Sequence, residues 1–309
     1  MPAPQMIVVS LPGSGTPLLA DVTTGLGYSS YGTMSGDPRT GGEQPGAGEV
    51  YPLLTAAYGQ DQAVLLLHQQ RQDRQALETA FQDAVSALWR VWWKHLGQPT
   101  TLASPVDPGT EARLARLSAT DLLRLLPGRG CWYVSGLDLH RADAGFLRAW
   151  HADGRPPLVF HHRDIRDRII SQIRALTQPA DPVGSLPEHL VYRDILTALP
   201  TLDARITLAL TDPGFPGTEE ARRSRWLLHH PAVCVITHEE LAGPDRGGTI
   251  HARAQALTRL LTAISHPDPS AVPTAPPPAA PGAEDLAIGT GRALFTPAHE
   301  RLLDRHHSH

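Results

Sequence analysis

The stretch "IVVSLPGSGTPLLADV", Ile7 to Val22, decides the fold. Its apolar opening has the β-branched composition of a buried strand, its Pro, Gly and Ser residues make a tight turn, and "TPLLADVTTGLGY" reads as a helix with Pro17 tolerated in the first turn. A strand that feeds a turn and then a helix aims several backbone N–H groups, and the positive end of the helix dipole, at one point. Such a point suits an anion. Gly13 and Gly15 permit the tight path, and Ser14 and Thr16 add hydroxyl donors. The stretch is not a Walker A loop, because no lysine follows the last glycine.

Three further strand-like runs lie downstream: "CWYVSGL", "PPLVFHH" and "AVCVITH". Each is bounded by turn residues and each precedes a helical pattern. Buried runs alternating with helices imply an α/β protein of three layers, with a central parallel sheet covered on both faces. Ligands of such sheets bind at the carboxyl ends of the strands. Between the first two runs lie a polar, Gly-rich loop from about Ser29 to Gly48, a candidate lid, and the stretch Asp61 to Gly97, read as one long helix or a helical pair. On that stretch Trp89, Trp92, Trp93 and Leu96 share an i, i+3, i+4, i+7 face, either an aromatic core face, a wall of an acceptor pocket or a contact for a homodimer. The Pro/Ala-rich stretch at about 265–285 reads as a surface excursion, after which Thr296 and Pro297 mark a helix start.

Composition narrows the classes of partner. The chain has 309 residues, 41% hydrophobic and 19% charged, enough for a single domain with a large core over 1–309. A net charge of -4 gives no general attraction to nucleic acid or to an anionic membrane. The N-terminal stretch lacks the basic-then-apolar pattern of a signal peptide, and no run approaches the roughly 18 apolar residues of a span, so a cytoplasmic protein is expected. Cys131 and Cys234 sit in strand-like runs and are expected to be buried thiols with no zinc spacing. Of the 27 basic side chains only Lys94 is a lysine. Any task ordinarily given to lysine falls to arginine, to a backbone amide or to Lys94.

A second motif follows the run Leu158 to Phe160. In "LVFHHRDIRDRIISQIRAL", Arg163 stands at the strand's end and Ser171 lies eight residues later on the helix. A guanidinium and a hydroxyl there would make a second phosphate site.

Together the two motifs resemble the sulfotransferases that use 3'-phosphoadenosine 5'-phosphosulfate (PAPS). That family's first loop reads approximately P-[KR]-S-G-T-[TS] and appears here as Pro12, Gly13, Ser14, Gly15, Thr16 and Pro17. Its second motif, approximately R-D-P-R-D-x-x-x-S, appears as Arg163, Asp164, Ile165, Arg166 and Asp167 through to Ser171. "VCVITHEELAG" is similar to the family's strand ending in R-Y-E-D-L, with His238 where a tyrosine would lie beside the adenine. The likeness spans roughly residues 6 to 263, with a weaker echo at Arg292. It implies a P-loop nucleotide-kinase-like sulfotransferase fold, PAPS as donor, PAP as product, no metal, and a hydroxyl or amine on a small-molecule acceptor, such as a natural-product intermediate. The loop would hold the 5'-phosphosulfate, and Arg163 and Ser171 the 3'-phosphate.

The departures raise their own expectations. Gly13 stands where the family places Lys or Arg, beside the oxygen that gains charge as sulfate leaves, and preorganised charge there is a large catalytic contribution. Either another arginine enters, with Arg39 and Arg292 as candidates, or the chain is a weakened PAP- or PAPS-binding relative; a kinase-like phosphotransferase is the more distant rival. For the general base, "WYVSGLDLHR" offers His140, 23 residues before Arg163, with Asp138 as the second choice on the same side of an extended chain. The pairs His161-His162 and His229-His230 are expected to be surface or supporting residues, and Arg222, Arg223 and Arg225 a solvated cluster or a lip that draws in an anion.

Overall fold

The structure, a computed structural model, describes residues 5–31, 47–69, 73–98, 106–125, 128–154, 156–177, 187–266 and 287–307. All four expected runs are strands: β1 (Met6–Ser10), β3 (Gly130–Val134), β4 (Leu158–His162) and β5 (Val233–Thr237). A further strand, β2 (Ser29–Tyr31), occupies the start of what the composition presents as a Gly-rich loop. Every pairing is parallel, in the order β2-β3-β1-β4-β5. Three polar-leaning residues carry no strand signal of their own; β2 exists because its backbone pairs with β3 and because Tyr31 stacks on Trp132 with ring centroids 4.4 Å apart.

Alternation along β1 divides the core. Ile7 and Val9 face one cluster, Met6 and Val8 the other. On the first face lie α2 (Ala47–Tyr58), α3 (Gln60–Gln69), α4 (Arg74–His95), α5 (Pro108–Leu114), α6 (Ala119–Arg124) and α7 (Ala144–Asp153). On the second lie α1 (Thr16–Gly25), α12 (His238–Leu241) and α13 (Ile250–Ala263). The stretch Asp61 to Gly97 is therefore a helical pair, α3 and α4, and α4 ends before Gly97, whose φ of +73° only glycine adopts at ease. Trp89 and Trp92 are fully buried, and Trp92 meets Phe146 edge to face at 4.7 Å. That aromatic face is core, and it is spent inside the chain rather than on a pocket wall or a second copy.

The order of the strands fixes where a ligand can sit. From β1 the chain passes over β3 to the edge strand β2 by way of α1; from β4 it moves the other way, to β5. Connections in opposite directions go to opposite faces when each is right-handed, which is why α1 and α7 cover different sides. Between the carboxyl ends of β1 and β4 the two connections diverge, which makes this the topological switch point where sheets of this kind form a ligand crevice.

Beyond β4 the chain builds a third cluster that contains no strand residue. It unites α8 (Ile165–Thr177), α9 (Pro187–Ala198), α10 (Leu202–Thr211) and the terminal helix α15 (Pro297–His307), whose start falls at the expected Pro297. Between β4 and β5 the chain also forms α11 (Thr218–Ser224), and α14 (Thr290–Leu294) precedes α15. The Pro/Ala-rich stretch 267–286, the loop 32–46 with Arg39, and 178–186 lie outside the described residues.

The charges of the Arg-Asp motif anchor this cluster. The Asp167 carboxylate accepts from the amides of Gly289 (2.8 Å) and Gly291 (2.5 Å), and Arg166 donates two hydrogen bonds to Glu300, at 2.8 and 2.7 Å. A side chain at Gly291 would overlap the backbone of Arg166 and Asp167. Replacing Asp167 with Ala strands the buried Gly291 donor and removes two charge-assisted bonds, one of them to the exposed Gly289, a loss of about 3 kcal/mol. Urea unfolding should show that loss, and limited proteolysis should cut first within 287–307; an unchanged midpoint and digestion pattern would refute the anchoring.

Candidate anion site

The loop after β1 adopts the strained path its glycines permit, with φ of +79° at Gly13 and +80° at Gly15. The Ser14 amide closes a turn onto the Leu11 carbonyl at 3.0 Å. The amides of Gly13 and Gly15 meet no acceptor among the described residues. Gly15 is also the residue that precedes α1, and no side chain caps that helix. The result is a group of donors at the positive end of α1, partly open to solvent, at the crevice between β1 and β4.

Behind the loop stands a row of buried polar groups supplied by three adjacent strand ends. Ser10, the last residue of β1, lies 2.6 Å from the Thr16 hydroxyl and 2.9 Å from His161 Nδ1. Arg163, just past β4, is 3% exposed. His238, the first residue of α12 beyond β5, is fully buried with its ring against Gly15. The Ser14 hydroxyl, His161 Nε2 and both ring nitrogens of His238 are buried and make no hydrogen bond of standard geometry among the described residues. Buried polar atoms are ordinarily satisfied, so this group, beside the open amides of the loop, makes the place a candidate ligand site.

The electrostatics follow from burial and from Arg163. Burial pushes the His161 imidazole well below its ordinary range, and His238, His162 and Arg163 push the same way. Burial, then Arg163 and Arg246, lower His238 to about 3. Both rings are neutral at physiological pH. Cys131 and Cys234 are free thiols raised by burial to about 12 and about 11, so neither is a nucleophile near neutrality.

The remaining expected residues are distributed unevenly. Ser171 is half-buried on α8, two turns beyond Arg163, and Arg292 is exposed on α14. His238 lies beside the loop itself, at Gly15. His161 is wholly buried in the site and is no surface histidine; its neighbour His162 faces the other way and stacks on Phe160, while His229 and His230 are exposed. The sequence leaves His161 open as a surface or supporting residue; its pairing to Ser10 across the sheet, set by the β1–β4 register, decides for the buried position.

The expected bases part company. Residues 138–141 form a turn rather than an extended segment, closed by the Arg141 amide on the Asp138 carbonyl at 3.1 Å. The buried Asp138 carboxylate accepts from the His140 amide (2.9 Å) and from Arg223 (2.7 Å), which leaves it occupied. The His140 residue is exposed. Arg222 and Arg223 both pair with Glu219, so the basic cluster is locally neutralised and is not a bare cationic lip.

One arginine lies against the loop where the sequence offers a glycine. A Cβ on Gly13 would stand 2.5 Å from the Arg168 carbonyl and 3.2 Å from its Cγ. The Arg168 guanidinium, 4% exposed, donates to the Gly217 carbonyl beside Pro12 at 3.1 Å. Burial lowers Arg168 to about 10, with Glu220 opposing the shift, so it keeps its charge at neutral pH.

The fold and site define a class: an α/β protein with a five-stranded parallel sheet and an anion-suited loop at its switch point. Compared with known proteins, the chain matches no family model, no curated protein and no solved structure.

Gly15 and Gly27 share a positive φ, but a Cβ on Gly15 collides with the His238 ring while one on Gly27 meets nothing within 4 Å. Gly27→Ala should cost about 1–2 kcal/mol from backbone strain alone, and Gly15→Ala about 2–5 kcal/mol from strain plus overpacking. Equal losses in denaturant melts would disprove the close seat of His238.

Proposed function

We propose that the protein is a PAPS-dependent sulfotransferase that moves the sulfuryl group to a hydroxyl or amine of a small-molecule acceptor, with PAP as product and the fold of the P-loop-like sulfotransferases. The observation that carries this reading is the placement of the loop and of Arg163 at the ends of the neighbouring strands β1 and β4, with unsatisfied buried donors between them. Two anion-suited features one strand apart fit a nucleotide phosphorylated at both ends of its ribose.

The chain's groups divide the work as follows. The amides of Gly13 and Gly15, with Ser14 and Thr16, hold the 5' end; Arg163 and Ser171 hold the 3'-phosphate. PAPS, when bound, supplies the activated sulfuryl group. As the bond from sulfur to the acceptor oxygen or nitrogen forms and the bond to the bridging oxygen breaks, the acceptor's proton passes to a base. His140 suits that task because its residue is exposed; Asp138 holds the turn that carries it. For the charge missing at Gly13, Arg168 is the arginine on the loop, whereas Arg292 is exposed on α14.

A second reading rests on the same contact. The Arg168 carbonyl closes the space beside Gly13, which suits a weakened relative that binds PAP or PAPS as a regulator or partner protein. A kinase-like phosphotransferase is less well supported, since the loop has no lysine and the sequence offers no clear magnesium-binding carboxylate.

In a thermal shift assay PAP and PAPS should stabilise the protein and ATP should do so far less. Arg163→Ala should weaken PAP binding at least about tenfold, as loss of a charged hydrogen bond predicts. Transfer of labelled sulfate to an acceptor library separates the enzyme from the binder. No stabilisation by PAP, or unchanged affinity in Arg163→Ala, rejects the proposal.

A further inference from the structure

Resting on the phosphate-cradling role of the β1–α1 loop, we infer that the loop takes up a proton together with its anion, and that the His238 imidazole receives it. The ring is fully buried and lies against Gly15; neither nitrogen makes a hydrogen bond of standard geometry among the described residues, the Ser14 backbone being the polar group that approaches it. A neutral imidazole has one donor and one acceptor, and burying both unmet is costly. An anion in the loop, with a proton on the ring, supplies what is missing.

The groups around the ring set the sign. Arg163 faces it from the end of β4 and Arg246 from the short turn after α12, and His161 lies beside it on β4. The Ser14 backbone, from the loop, is the neighbour that favours the charged form. On α12 itself the carboxylates are engaged elsewhere: Glu239 accepts from the Asp164 amide, and Glu240 from the Thr237 amide and Arg259. Without an anion, burial and two arginines hold His238 at about 3. A doubly charged oxyanion within about 5 Å reverses the balance and can raise such a group by several pH units.

The consequence is a pH-dependent affinity of defined sign. Between the anion-free pKa and the raised pKa of the complex, one proton enters with each anion, so affinity falls about tenfold for each unit of rising pH. Above the pKa of the complex, this group adds no further slope.

Calorimetric titration of the full chain with inorganic sulfate, whose charge is constant from about pH 5 to 8, tests the inference in two buffers of different ionisation heat. Close to one proton per sulfate, and a tenfold loss of affinity per pH unit, are expected for the native chain; His238→Asn should bind with neither. A histidine-selective NMR titration of the native chain should show one buried ring pass from neutral to charged on adding sulfate, which decides the matter if the variant does not fold. Sulfate bound without proton uptake, no sulfate binding at any pH, or uptake retained in His238→Asn overturns the inference. PAP measured alongside keeps the two readings apart. PAP bound without a proton leaves the donor reading standing and this inference fallen, and sulfate bound with a proton but no PAP binding does the reverse.

Discussion

The arrangement of β1 and β4 as parallel neighbours, whose chains leave in opposite directions, is the constraint on which the rest depends. It opens the crevice, sets α1 with its amino end at the mouth, and brings Ser10 opposite His161 in register. A parallel sheet covered on both faces offers solvent little but its strand ends. Among the described residues, the unpartnered buried atoms at the β1, β4 and β5 ends are those of Ser14, His161 and His238, whereas others, such as Tyr28, Thr55 and the indole nitrogens of Trp89, Trp92 and Trp132, lie away from them.

The charges of the Arg-Asp motif are largely engaged within the chain. Asp164 accepts from the Arg166 amide at the start of α8, Arg166 is paired to Glu300, and Asp167 holds the Gly289 and Gly291 amides at the start of α14. Arg163 is buried near His161 and His238, two rings that burial first, and its charge second, hold neutral. The other charges fasten the C-terminal segment to α8. On the proposed function, ligand recognition by Arg163 and docking of that segment would share one turn of chain.

The backbone and Cγ of Arg168, on α8, lie against Gly13 in the loop. Arg168 has its guanidinium buried against the Gly217 carbonyl. Its aliphatic part fills the room that a residue larger than Gly13 would need.

Sequence alone determined the layer architecture, because four apolar runs each followed by a helical period admit few arrangements, and it located the loop, Arg163 and the terminal helix start. It could not show β2, whose three residues become a strand only through β3 and Trp132. Nor could it separate His161 from His162, or free Asp138 from Arg223 85 positions away. The tertiary structure decided which polar residues converge and which are used up. Local pattern is set by neighbours along the chain, whereas the state of a buried charge is set by whatever the fold brings within a few ångströms of it.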